Sequence, residues 1–354
     1  MAFSLGKKKE VIALDVGSNS IKLVQLKQAK KGWELIKLAI AFLPPEAIVD
    51  GSIIDSMSVT NAITDLLKQN NLKIKDTVSS LTGHSVIIKR VSFPAMTEEE
   101  LAESIQWEAE QYIPFPMTDV NIDFQILGED TEGRGQMDVM LVAVKKEVIN
   151  DYINVIKEAG LNPVVMDVDS FALENMLEVN YAFAPGENIA MVNIGASVTS
   201  ISVIVGGVTS FTRSIPMGCN QYTEEIQRNF NISFKEAEDT KLGAASDSVE
   251  EVELAQVVDG VSNNLSMEVK RSIDFFLGAN PGVIVSKIFI CGGGARTSRL
   301  ADIMQESTAL AVEVANPLND IACNSEDFES GFIEEMAPYF GVAVGLATRA
   351  MGDR

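Results

Sequence analysis

A single histidine, His84, stands in 354 residues, and this scarcity closes most routes to imidazole chemistry. Histidine metal sites, and serine or cysteine nucleophiles with an imidazole base, need histidines that the chain lacks. His84 is expected to be a local structural or surface residue. Only three cysteines occur, Cys219, Cys291 and Cys323; they lie too far apart for a zinc motif, a redox pair or a disulfide framework, which fits a reducing compartment. Positive charge is scarce as well. With 28 basic residues against 50 acidic ones the net charge is -22, which repels phosphate backbones at long range, and no basic stripe compensates it. Nucleic acid is thereby excluded as an expected partner, whereas a basic peptide, or a small anion held by backbone donors, is not. No apolar run reaches the roughly 20 residues that span a bilayer, and "MAFSLGKKKE" is too short in its apolar part for a signal peptide. A cytoplasmic chain that does not cross the membrane is expected. Phe3 and Leu5 beside Lys7, Lys8 and Lys9 suit either a solubilising tail or a brush against an anionic membrane surface.

What is present points to two cores. The length exceeds that of a usual single-core domain, and 46% hydrophobic residues can fill two cores or one duplicated unit. After an opening hairpin, "WELIKLAIAFL" reads as a strand, and "VTNAITDLLKQNNL" as a helix with Ile63, Leu66 and Leu67 on one face. "TVSSLTGHSVIIKRVSF" is expected to be a strand ending at Pro94. In "TEEELAESIQWEAEQYIPF", Thr97 and Glu100 occupy capping-box positions, Leu101, Ile105 and Tyr112 share a face, and Pro114 stops the helix. "VNIDFQIL", "MDVMLVAVKK" and the helix "VINDYINVIKEAG" complete a small α/β unit with a polar tip, "GEDTEGRGQ". A second half starts near Glu187 with three apolar strands separated by glycine turns. Helices in "CNQYTEEIQRNF", in "FKEAEDTKLG" and over residues 249–277 follow, then the strand "VSKIFICGG" and the helix "RTSRLADIMQES".

One short pattern occurs twice. In "IALDVGSNS" and "IAMVNIGASVT", Asp15 and Asn193 hold the same place before an apolar residue and a glycine, Gly17 or Gly195, with small polar residues after it. They stand 178 positions apart, about half the chain, which suggests one unit used twice with its two turns facing each other. A glycine-led hairpin can aim consecutive backbone N–H groups at an anion, and two facing hairpins can clamp a polyphosphate. A carboxylate within an apolar strand is costly unless compensated. Asp15 beside such phosphates would hold Mg²⁺ through water; for one copy alone, an ordinary turn capped by Asp15 is the commoner reading.

Other phosphate motifs fit less well. No G-x-x-x-x-G-K-[ST] is present, and each glycine turn runs into a strand instead of the helix that a P-loop needs. "IFICGGGARTSRL" goes from strand to glycines to helix, with Glu313 about 20 residues on, but Thr297 replaces the last glycine of a dinucleotide fingerprint. Three adjacent glycines read better as a close backbone approach to a base or ribose.

These residues resemble the actin-like ATPases, which include the sugar kinases, the seventy-kilodalton heat-shock proteins and FtsA. The first phosphate loop of that family, D-x-G-[ST]-x-[ST], is similar to residues 15–20, and the second, D-[IL]-G-[GA]-x-x-T, to residues 193–199. "APYFGVAVGLA" resembles the small-residue helix that closes the second half. The resemblance implies an α/β, actin-like (ribonuclease H-like) duplicated fold with an FtsA-type inserted subdomain. Its expected parts are a first half over 1–86, the inserted subdomain and return helix over 87–177, a second half over 178–332 and a closing helix over 333–354. It also implies phosphate contacts from Gly17, Ser18, Asn19, Ser20, Gly195, Ala196, Ser197 and Thr199, with Lys22 as a nearby cation or a solvent-facing charge. Glu238 and Lys241 would flank adenine and ribose, or form an ordinary helix-surface pair. Gly292, Gly293 and Gly294 would pass beneath the nucleoside, with Arg296 stacking there or facing water. ATP or ADP with Mg²⁺ is the implied cofactor. Asn193 replaces a metal-orienting aspartate and so is a weak metal ligand. Asp169 stands where relatives carry a longer side chain that aligns the attacking water. Slow or negligible hydrolysis is therefore expected, since phosphoryl transfer depends on close positioning.

Within that family, "EAEQYIPFPMTDVNIDFQIL" resembles a signature of the PilM-like members, the cytoplasmic actin-like components of type IV pilus assembly. They imply a partner, the N-terminal cytoplasmic peptide of the inner-membrane protein PilN, held between the inserted subdomain and the first half in a nucleotide-sensitive way. Peripheral inner-membrane association, contacts with other pilus alignment and motor components and self-association into a ring are further expectations. The alternatives are an active ATPase or small-molecule kinase, for which Asp169 is the sole candidate base, and a filament-forming cytoskeletal protein.

Overall fold

The computed structural model describes residues 10–129, 135–245, 248–324, 328 and 331–350. Phe3, Leu5 and the three lysines after them lie outside the described residues, as does most of the expected polar tip. The first half opens with β1 (Ile12–Val16), β2 (Ser20–Gln28) and β3 (Trp33–Phe42). A small hairpin of β4 (Ile48–Val49) and β5 (Ser52–Ile53), then α1 (Ser56–Gln69) and β6 (Asp76–Leu81), follow. An inserted unit comprises β7 (Val86–Pro94), α2 (Glu98–Ala109), β8 (Val120–Glu129) and β9 (Gln136–Lys145). The chain returns through α3 (Lys146–Glu158), β10 (Asn162–Val168) and α4 (Asp169–Asn180).

The second half contains β11 (Ile189–Ile194), β12 (Thr199–Val205), β13 (Val208–Ile215), α5 (Cys219–Phe230), α6 (Phe234–Lys241) and α7 (Glu251–Ala279). It ends with β14 (Lys287–Cys291), α8 (Leu300–Thr308), β15 (Ala311–Val314), β16 (Ile321–Ala322), α9 (Phe332–Met336) and α10 (Gly341–Ala347).

The sheets repeat one plan. In the first, the order is β10-β6-β1-β2-β3-β16, with β1, β6 and β10 parallel and β1, β2 and β3 an antiparallel meander. The second has the order β13-β12-β11-β14-β15 with the same senses at equivalent places. Strands β1 and β11 are thus counterparts, as the repeated pattern requires. Both are central and covered on both faces, which explains their continuous apolar runs. Between the sheets, α4 and α10 share one core with Val24 of the first half and Met191 and Phe289 of the second. There the closing helix comes so close to α4 that a Cβ on Gly345 would lie 1.6 Å from the Ala172 carbonyl oxygen. Only glycine fits at that crossing.

Two expected elements end elsewhere. The run over 77–93 is two strands in two different sheets, because Gly83, at φ +90, turns the chain out of the first sheet before β7 pairs with β9. Helix α2 has the expected capping box, yet it stops at Ala109, and Leu101, Ile105 and Ala109 form its buried stripe. Tyr112 lies beyond the helix, edge-on to Phe93 at 6.0 Å, with its carbonyl accepting from Lys89 Nζ at 2.9 Å. The aromatic turn is packed onto the three-stranded sheet β7-β9-β8 before the proline is reached. His84 is exposed.

Candidate functional site

The two glycine turns have the same internal geometry. Gly17 N donates to Ser20 O at 3.1 Å, and Gly195 N donates to Val198 O at 3.0 Å. Each closes a tight hairpin, leaving the residues between at its tip. The tips meet across the halves, where Ser197 Oγ donates to Ser18 Oγ at 3.1 Å. Beside them the hydroxyls of Thr82 and Ser200 are 3.4 Å apart. The bends line a cleft of about 780 Å³, large enough for a nucleotide-sized ligand.

Of the expected residues, Asp15, Gly17, Ser18, Asn19, Ser20, Lys22, Asp169, Asn193, Gly195, Ala196, Ser197, Glu238, Lys241, Gly292, Gly293 and Arg296 all line this cleft. Two do not. Thr199 is fully buried and its Oγ1 donates to Met217 O at 2.7 Å, which ties the second hairpin to the segment before α5. Gly294 is buried under Ile194 and Cys219, where an added Cβ would lie 2.2 Å from Ile194 Cγ2. Both shape the cleft wall from behind.

Its polar corner is built on β1. Asp15, only 8% exposed, forms an ion pair with Lys22 Nζ at 3.2 Å from the facing position on β2. That pair answers the desolvation cost of the carboxylate. Asp169, at the first position of α4, accepts from Ser80 Oγ at 2.6 Å. Burial and then the negative charge of Asp15 push its pKa up to about 7. Between roughly pH 4 and pH 7 the folded chain therefore holds a proton that the unfolded chain has released, and stability falls as pH rises through that window. Asp169→Asn is expected to flatten this fall and to melt higher than the wild type at pH 8. Calorimetric midpoints at pH 5 and pH 8 check it; the same difference at both pH values would contradict the assignment.

On the opposite wall, Lys241 Nζ bonds Glu238 Oε2 at 2.6 Å and Thr223 Oγ1 at 2.9 Å, and Arg296 pairs with Glu335 at 3.0 Å. The Tyr339 ring lies under Gly293, where an added Cβ would meet it at 2.9 Å. Cys219 also lines the cleft, but burial pushes its thiol up to about 11, so it remains protonated at neutral pH.

Three features have no clear signal in the sequence. Gly218 sits where a Cβ would be 2.5 Å from Gly195 O and 2.6 Å from Ala196 O. Because it has no side chain, α5 can dock its first amides on the second hairpin: Cys219 N donates to Gly195 O at 2.9 Å and Asn220 N to Ala196 O at 2.8 Å. Ser80, on β6, supports Asp169 from behind the cleft, Thr82 enters it just past the end of β6, and Tyr152 enters from α3. A single glycine in "PMGCN", or a tyrosine at a core position of a helix, looks the same when it serves packing alone.

The duplicated sheets, the opposed glycine bends and the cleft between them define an actin-like ATPase fold. Within that class the chain belongs to the family "Type IV pilus assembly protein PilM", which matches residues 13–351. It is similar to a solved structure of a PilM–PilN type IV pilus biogenesis complex, with a TM-score of 0.87 and 29% identity over 98% of this chain and 100% of that one. Cell division protein FtsA of Bacillus subtilis (strain 168) is 22% identical over 275 residues, 70% of this chain and 61% of FtsA, so the match spans about three-fifths of that relative. MreB5 of Spiroplasma citri bound to ADP shares the fold, with a TM-score of 0.54 and 15% identity over 96% of this chain and 95% of that one. Among the described residues no helix is long and apolar enough to cross a membrane.

Proposed function

We propose that this chain holds a magnesium-bound adenine nucleotide between its two halves and, in a nucleotide-sensitive way, binds the N-terminal cytoplasmic peptide of PilN. It would thereby act as a cytoplasmic, peripherally anchored component of type IV pilus assembly. The observation that carries the nucleotide reading is the Ser18–Ser197 contact, which brings the turns of both halves to one cleft. Gly17, Ser18, Asn19, Ser20, Gly195, Ala196 and Ser197 would hold phosphates, and Glu238, Lys241, Gly292, Gly293 and Arg296 the nucleoside. Structures of the same fold bind adenine nucleotides, as the ADP-bound MreB5 does.

The donor set fits Mg²⁺. Asp15, through water, and more weakly Asn193 offer hard oxygen donors, and among the described residues no group of three or more His, Cys, Asp or Glu competes with them as a metal site. Mg²⁺ usually takes one or two carboxylates, substrate phosphates and water, so a fuller protein cage is not required. Bound there, it would neutralise phosphate charge; Lys22 holds Asp15 in place. Hydrolysis would be slow or negligible, because Asn193 lacks the negative charge of an aspartate and Asp169 is short.

The partner reading rests on the likeness to the PilM–PilN complex over 98% of this chain and 100% of that one, and a net charge of -22 suits a basic peptide. One element runs from the inserted unit to the cleft. Helix α3 follows β9 of the inserted unit directly, Lys145 at its cap lies over the Phe115 ring at 4.4 Å, and Lys146 Nζ donates to Thr118 O at 2.7 Å. Seven residues on from Lys145, Tyr152 lines the cleft. A change at the phosphates would therefore be passed to the inserted unit by one helix, provided the peptide binds the two states with different affinity.

A pull-down from detergent-solubilised membranes with Mg-ATP, using wild type and Asp15→Ala, tests the reading. Recovery of a single-span membrane protein by the wild type and not by the variant is expected. Equal recovery would break the proposed link, and release of phosphate at several turnovers per second would contradict the reading of the site.

A further inference from the structure

Tyr152 is 2% exposed, and its ring is fixed among Val148, Val155 and Ile156 in the core between α3 and the first sheet. It lines the cleft in the corner that holds Asp15, Thr82 and Asp169. A tyrosine hydroxyl on a buried ring usually has a partner; among the described residues this one bonds none, and it is not one of the enclosed unpartnered oxygens, which are those of Ser170 and Ser266, so it opens on the cleft. Neither carboxylate accepts from it. Burial, then the charges of Asp169 and Asp15, raise its pKa well above the ordinary value, so it stays a neutral donor at any physiological pH.

Its place in the cleft selects the ligand atom. Glu238, Lys241, Gly293 and Arg296, the candidate nucleoside contacts, all come from the second half, and the hairpin tips lie where the halves meet. A nucleotide held that way points its last phosphate towards the first-half corner where Tyr152 stands. We propose that the Tyr152 hydroxyl donates a hydrogen bond to the terminal phosphoryl group of a bound nucleoside triphosphate, and so distinguishes ATP from ADP. The proposal rests on the nucleotide reading above.

Titration of Mg-ATP and of Mg-ADP into full-length wild type and Tyr152→Phe tests it. The ring is kept and only the donor is lost, so affinity for ATP is expected to fall about tenfold, as for a hydrogen bond to a charged group. Affinity for ADP is expected to stay within about twofold, since ADP lacks that phosphate. Without nucleotide, the melting midpoint of Tyr152→Phe is expected to stay the same or rise, because a hydroxyl that bonds no other described residue holds no part of the fold in place. Equal losses for both nucleotides, no loss for either, or a lowered midpoint without nucleotide would overturn the proposal while leaving the nucleotide reading intact. A wild type that binds neither nucleotide would overturn both.

Discussion

Gly345→Val is expected to destabilise the whole chain by about 3 kcal/mol or more, at the upper end of what overpacking a core costs. The new Cβ would start 1.6 Å from the Ala172 oxygen and 2.4 Å from its carbonyl carbon. These are backbone atoms of another helix, so no rotamer change relieves the overlap. Either α10 moves away from α4 or α4 bends, and both lie in the core shared by the two sheets. Calorimetry should show a midpoint lower by roughly 5–10 °C, given the few degrees per kcal/mol typical of larger chains. A midpoint within about a degree of wild type would mean that the two helices are not packed this closely.

Gly218→Ala is expected to act on the cleft more than on the fold. Gly218 has extended backbone, so alanine carries no conformational penalty there, and the effect is purely steric. Its Cβ would press on the carbonyls of Gly195 and Ala196, which also accept the first amides of α5. The hairpin must retreat by a good fraction of an ångström, which weakens the backbone hydrogen bonds that it would give to phosphates, each worth about 1.5–3 kcal/mol when the acceptor is charged. Mg-ATP affinity should fall about tenfold or more while far-ultraviolet circular dichroism is unchanged. Affinity within about twofold of wild type would show that the second hairpin does not hold the phosphates.

Much of this is legible in the sequence. The spacing of Asp15 and Asn193 marks two counterpart strands, and the sheet pairing places β1 and β11 at equivalent positions. Thr97 and Glu100 mark a helix start that is present with both capping hydrogen bonds. Ends were harder to read, because tertiary packing sets them. The aromatic turn at Tyr112 leaves α2 early to cover Phe93, although Pro114 is the stronger local stop signal. β16 crosses back to pair with β3 of the first sheet, and two residues carry no period by which to detect a strand. The glycines at 218 and 345 are needed because of what approaches them from elsewhere in the chain. Nothing local distinguishes them from glycines that face open space, such as Gly260 and Gly278.

Calorimetric titration of Mg-ATP into the wild type beside Gly17→Val and Gly195→Val, one variant in each bend, tests the shared cleft most directly. One site per chain is predicted in the wild type, with binding lost from both variants. A binding curve left unchanged by either variant would contradict a ligand held jointly by the two halves.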